Sequence, residues 1–455
     1  MAGVALSFRK TLTLAAIVSA VCAVSLASAA TPGELHLRFK SAFEAGDWAT
    51  AEQRAQALIN QLETSTNLDS RELVNPLTNL ATVQFRQGKL QEARETYGRA
   101  IALIDGQLSG ADRLLIRPLH GLGEVQLLAG DAFEAAVPLK RAVDLSRNLD
   151  GLFNPDQLDV VDALIEAYVA TGRLEDAERE HRYAFRVAET AFGKNDLQLI
   201  EPLDRFARWY ESVGRYSTAR GLHARALQLA ERQSADKPIV GVAALRGLSR
   251  TWLLEAIYGP EVEAEAPVQE VNDRTGPFLS AAGAGRLNAD GERALRQALK
   301  LISESKPRDE KLFGETLVQL GDWYLIAGSA QRANSMYLEA FNVLSAAGPE
   351  ARKQLERPRL LVYRAPPASL TRQLSADPST HVVKDIDFEL TIGRDGKVID
   401  AIVASSDVPE ATERSALLAV RKARYAPRVG NGEILPTEGV RFKERLLVRL
   451  PPQAD

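Results

Sequence analysis

The sequence predicts a mainly α-helical chain, a superhelix of stacked helical hairpins, ending in a small α+β module. Three observations predict it. Glycines recur every 42 residues, at Gly46, Gly88, Gly130, Gly172 and Gly214. After Ala347 the helical pattern stops and prolines cluster. Further on, "FELTIGRDGKVIDAIV" at 388–403 alternates apolar and polar residues around a Gly-bounded turn, the pattern of two half-buried strands.

The chain has 455 residues, 45% apolar and 25% charged, an ordinary globular composition with room for two or three domains. Residues 1–29 read as a signal peptide: Arg9 and Lys10 are basic, Leu12 to Leu26 are apolar, and "ASA" at 27–29 offers a cleavage site. The competing reading is an uncleaved inner-membrane anchor, because residues 11–30 carry no charge. That stretch is rich in Ala, Ser and Thr and weakly apolar for a span, which favours cleavage after Ala29 and a periplasmic location. Val21, before the sole cysteine Cys22, is too large for lipoprotein processing. The mature chain would then hold no cysteine and be indifferent to an oxidising compartment. Removing Arg9 and Lys10 takes the net charge from −4 to −6, which argues against a nucleic-acid binder.

The 42-residue register extends beyond the glycines. Five residues after each comes Ala51, Ala93, Ala135, Ala177 or Ala219, and twelve after comes Leu58, Ala100, Ala142, Ala184 or Ala226. Eight before stand Leu80, Leu122, Leu164 and Phe206, with Arg38 the exception in the first unit. The glycine ends one helix, and the alanines let the next pack closely. A single hairpin cannot bury its own apolar face, so the units must stack. Gly328, with Ala333, Tyr337 and Ala340, marks a last unit 114 residues after Gly214, which leaves 30 residues beyond two periods. They are expected as a flexible insert at about 259–289, between helices at about 238–258 and 291–305. About seven repeats over 34–347 result.

"YVATGRLEDAEREHRYAF" and "YESVGRYSTARGLHARAL" carry this pattern. It resembles the tetratricopeptide repeat in the 42-residue form of kinesin light chains. The resemblance implies a partner groove lined by the first helix of each hairpin, at Asp159, Asp162 and Glu166 in one repeat and Glu201, Asp204, Arg208 and Glu211 in the next. The groove centre would be acidic and suited to extended protein segments; the same residues also read as a solvated face. His181 and His223 lie one period apart, but both fill the slot of Tyr97 and Tyr337, so packing is expected rather than a metal site. The sequence holds no Gly-rich phosphate loop, no His-Glu-x-x-His and no nucleophile elbow. No catalytic residue, metal, cofactor or small-molecule substrate is assigned, and the chain is not expected to be an enzyme.

Residues 348–378 read as a linker with one short extended segment. From 379 to 455 the order is β-β-α-β: Phe388, Leu390 and Ile392 on one strand, its partner from Val398, a helix capped by Ser406 or Asp407, and a last strand at 440–450. Leu417, Val420 and Ala423 are expected to face the sheet. On the last strand Val440, Phe442, Leu446, Val448 and Leu450 share one face, while Arg441, Lys443, Arg445 and Arg449 lie mostly on the other. "GRDGKVIDAIVASS", "ALLAVRKARYAP" and "GNGEILPTEGVRF" resemble the C-terminal domain of TonB, with "SSD" at 405–407 where that family usually has "SSG". The resemblance implies that the module binds short transporter segments by strand addition. The basic row is the expected docking face, or alternatively a guard against aggregation.

The leading expectation is a non-enzymatic periplasmic adaptor whose repeats bind one protein and whose sheet binds another, an outer-membrane receptor being one candidate. The alternative is a divergent TonB-type energy transducer that keeps its N-terminal segment as an anchor.

Overall fold

A computed structural model describes residues 30–65, 68–105, 112–233, 238–259, 289–366, 368–369 and 381–449. The expected signal peptide and residues 260–288 of the expected insert lie outside the described residues. Among the described residues, no helix is long and apolar enough to cross a membrane.

The chain divides into two bodies, one ending at Gly110 and one beginning at Ala111. The first holds α1 (Pro32–Glu44), α2 (Trp48–Glu63), α3 (Val74–Arg86) and α4 (Leu90–Asp105). Thr31 and Glu34 start α1 with reciprocal side-chain-to-backbone bonds of 3.1 and 3.3 Å, satisfying two otherwise orphaned N–H groups. Gly46 and Gly88 end α1 and α3 with φ of +71° and +78°, left-handed values that only glycine adopts without strain. Ala51 and Ala93 follow, both wholly buried at the helix crossings.

The second body continues the pattern with α5 (Ile116–Ala129), α6 (Ala132–Asp150), α7 (Leu158–Ala170), α8 (Leu174–Phe192), α9 (Ile200–Ser212) and α10 (Tyr216–Gln233). The disguised sixth hairpin is α11 (Val242–Tyr258) packed on α12 (Ala289–Glu304), close to the expected bounds. The seventh is α13 (Glu310–Ile326) with α14 (Ala330–Ala347). One recurrent device went unnoticed in the sequence. Short 3-10 turns lead into α3, α5, α7 and α9, and Asp69, Asp112, Asn154 and Asp196 each accept the N–H two residues on, at 2.8–3.0 Å. These side chains recur at 42–43 residues, so the signal was there to read.

The stretch expected as a linker is built into the fold over residues 348–366, and its residues 370–378 lie outside the described residues. It carries the short helix α15 (Pro349–Arg352) and strand β1 (Arg359–Val362). Then come β2 (His381–Ile392), β3 (Val398–Ser406), α16 (Glu410–Arg421), β4 (Arg424–Ala426), β5 (Arg428–Gly430), β6 (Glu433–Leu435) and β7 (Thr437–Arg449). The main sheet has the order β3-β2-β7, all antiparallel, while β1 pairs with β4 and β5 with β6. The short strands β4, β5 and β6 were not expected. Neither Ser406 nor Asp407 caps α16: Pro409 occupies the N-cap, with no side-chain cap bond. Ala416, Val420 and Ala423 are buried against the sheet and Leu417 packs at its margin.

Candidate functional site

The C-terminal sheet is built on β2. Its inner face sets Ile386, Phe388, Leu390 and Ile392 in one core with Ala401, Ala416, Val420 and Leu446. Residues paired across an antiparallel ladder point to the same side. Asp385 therefore faces Arg445, Asp387 faces Lys443, and Glu389 faces Arg441. Lys443 Nζ also reaches Asp385 at 2.6 Å, and the Ser405 hydroxyl donates to Asp387 at 2.8 Å. The carboxylate of Asp385 raises the Lys443 ammonium above its ordinary value. The row Arg441, Lys443 and Arg445 thus meets an acidic row on β2, and the face is charge-balanced where the sequence reading had a basic docking face. The acids were legible in "KDIDFEL", the stretch in which only the apolar alternation was read. Arg449 pairs with His381 through the backbone, and its side chain lies outside the described residues.

The outer edge of β7 is taken up in part by the chain itself. Leu447 N–H donates to the Ala368 carbonyl at 2.7 Å, and Ser369 bridges Leu446. The Ser369 hydroxyl donates to the Glu444 carboxylate, both groups being buried. Tyr363, just upstream, sets its ring edge-on to Phe442 at 4.8 Å.

This module is seated on the last hairpins. Strand β1 pairs Arg359 with Ala426 and Leu360 with Tyr425. Arg359 Nη2 donates to both oxygens of Asp322 at 2.7 Å, and Tyr337 Oη donates to the same carboxylate at 2.8 Å. Burial, with the Asp322 carboxylate beside it, holds the Tyr337 hydroxyl far above its ordinary value, so it stays a donor. Arg364 donates to the Ile257 carbonyl at 2.6 Å, and Val362 packs between Ile257 and Ile326. Ala426, Val429 and Ile434 share one core with Trp323, Tyr337 and Leu344. The "GRDG" turn closes the seat. A Cβ on Gly396 would stand 2.0 Å from the Tyr425 carbonyl and 3.0 Å from Leu325, so glycine is required there.

In the solenoid, the expected groove residues are mostly engaged. Arg205 pairs with both Asp162 and Glu201, and Asp204 pairs with Arg208 at 2.7 Å. Burial raises the Asp162 carboxyl, Arg205 opposes that, and Asp159 adds to it. Glu211 is buried and accepts from His223 at 3.0 Å and Arg250 at 2.7 Å. Burial works against its charge, yet those two bonds hold its carboxyl below the usual range. Asp159 and Glu166 are exposed on α7. The centre is therefore a lattice of paired charges where an acidic groove was expected. Both histidines pack as anticipated. His223 is fully buried against Glu211, while His181 stacks on Phe206 at 5.6 Å and lies tilted against Trp209 at 4.8 Å. Burial, with Arg205 nearby, lowers the His181 imidazole to about 4.

Residues 72–148 match the tetratricopeptide repeat family. Residues 385–443 match the Gram-negative bacterial TonB protein C-terminal family. The chain carries tetratricopeptide repeats and a TonB C-terminal domain. Solved structures similar to it include kinesin light chain TPR-like repeats from Podosopora anserina, 14% identical, covering 53% of this chain and 99% of that one, TM-score 0.40. Another is the C-terminal part of a TPR repeat-containing protein from Cytophaga hutchinsonii, 12% identical, covering 71% and 99%, TM-score 0.43. No curated protein matches the chain. Both families are protein-interaction folds, and their union in one chain is that of a protein-interaction adaptor. The TonB domain points to a Gram-negative envelope setting.

Proposed function

We propose that this protein is a non-enzymatic periplasmic adaptor. The repeat solenoid over 34–347 holds one protein partner, with Asp159 and Glu166 as its open acidic contacts. The TonB-type module over 379–455 takes an extended segment of a second protein, such as an outer-membrane receptor, by strand addition to the outer edge of β7. The observation that carries this reading is the edge itself. Among the described residues, β7 pairs with β2 on one side and on the other only with residues 368–369. A backbone ladder supplies affinity to any chain that lies along such an edge. The seat on Asp322, Tyr337 and the Trp323 core joins module and last repeat in one body. A segment bound at β7 is thereby held at a fixed place relative to the last hairpins.

A photo-reactive residue at Arg441, on the edge strand, tests this in a Gram-negative host, with Leu418 on the outer side of α16 as the control position. The expected result is an envelope protein cross-linked from 441 through an extended segment and not from 418. Equal yields from both positions, or none from 441, would overturn strand addition as the mode of binding.

A further inference from the structure

Ser369 is a polar residue with no exposure, set against Glu444, which is 6% exposed. Its hydroxyl donates to the Glu444 carboxylate, and among the described residues no cation is paired with that carboxylate. Removing a donor from a buried carboxylate exacts most of its desolvation cost. We propose that residues 368–369 are a placeholder on the β7 edge, displaced by a partner strand that presents a serine or threonine hydroxyl to Glu444. This rests on the strand-addition reading and names the chemistry the incoming strand must carry.

Three features make these residues displaceable. Their described ladder is short: one bond from Leu447 N–H at 2.7 Å and one bridge at Leu446. Upstream, Pro366 has no N–H to donate, and its carbonyl accepts from the Ser369 N–H at 2.9 Å within the same loop. The chain is also anchored independently before them, by β1 on β4 and by Arg364 on the Ile257 carbonyl. Residues 368–369 can therefore lift while the module stays seated. In antiparallel strands alternate residues turn their backbone groups to the same side, and Leu447 faces outward. Lys443 and Arg441 then face the same way, and an incoming strand that starts there runs into the placeholder at Arg445 to Leu447.

The test uses the full chain and a labelled peptide of residues 365–374, with binding read by fluorescence anisotropy and located by hydrogen exchange. Ser369→Lys puts a charge where no space or solvent exists and should release the placeholder. The peptide is expected to bind that variant at least tenfold more tightly than the unmodified chain, protecting 445–447. A peptide with alanine in place of the serine should bind the variant at least tenfold more weakly, and this preference should vanish in Ser369→Lys/Glu444→Leu. A second measurement needs no variant. Leu447 N–H in the unmodified chain should exchange at least tenfold faster than the Glu444 and Leu446 amides, which face β2. Equal exchange at all three, equal peptide affinity for both chains, or indifference to the serine would overturn the placeholder. If both chains take the peptide equally along 439–443, the placeholder fails while strand addition stands. If neither takes it and the cross-link from Arg441 also fails, strand addition fails with it.

Discussion

Arg359 closes on Asp322 across 37 residues, one guanidinium nitrogen 2.7 Å from both carboxylate oxygens. Asp322 belongs to the last repeat and Arg359 opens the first strand of the terminal module. The side chain of Asp322 is only 10% exposed, so removing it strands a cation and the Tyr337 hydroxyl together. Breaking a buried pair by deleting one partner costs about 3 kcal/mol. Asp322→Ala should therefore lower the free energy of unfolding read from urea titration by that amount and speed proteolysis between Arg364 and Lys384. A loss near zero in urea, with unchanged cleavage, would mean that the apolar seat alone holds the module.

Two glycines seven residues apart should fail for different reasons. A Cβ on Gly321 would sit 2.6 Å from the Tyr337 ring, whereas one on Gly328 meets nothing within 4 Å but is held at φ +78°. Gly321→Ala should cost roughly 2–3 kcal/mol by overpacking. Gly328→Ala should cost about 1 kcal/mol through the left-handed backbone alone. Chemical denaturation of both variants decides it, and the reverse order would mean that the helix crossing at Tyr337 can spread.

Charge at the sheet face should behave as a ladder. Lys443→Glu places an acid opposite Asp387 and beside Asp385, and a lower melting temperature is expected. The swap Lys443→Glu with Asp385→Lys should restore most of it. Independent effects of the two changes would return the row to a merely solvated face.

What the sequence disclosed follows from what repeats. The period from Gly46 to Gly214 and the return at Gly328 located the hairpins, because the left-handed C-cap is a local need that six of the units restate; the sixth hairpin, whose α11 ends at Gly259 with extended backbone, was placed only by counting periods. The alternation at Phe388, Leu390 and Ile392 likewise located the sheet core. What stayed hidden depends on pairs distant in sequence. A short extended segment was expected before the module, but not that Arg359 and Leu360 of β1 would pair with Ala426 and Tyr425. Asp162 looked like an open groove acid until Arg205, 43 residues on, was seen to cover it. Asp385 and Lys443 carry opposite signs in segments 58 residues apart, and only the register makes them neighbours.

His181 gives the solenoid a pH dependence of defined sign. Its imidazole is buried between Phe206 and Trp209, and burial with Arg205 lowers it from an ordinary 6.5 to about 4. An unfolded chain takes up a proton below pH 6.5 that the folded chain refuses until about pH 4. The folded state is therefore undiminished above 6.5 and loses stability as pH falls through that window. One such shift amounts to about 3 kcal/mol at its full extent. His181→Phe keeps the stacking and removes the proton, so urea titrations at neutral pH and near the bottom of the window should separate the two chains. The unmodified protein should lose roughly 2–3 kcal/mol more than the variant across that span. Other carboxylates held below their ordinary values, such as Glu211, contribute equally to both chains and cancel in the difference. Parallel losses in the two proteins would show that His181 takes up its proton in the folded state without cost, and that the ring is open to water.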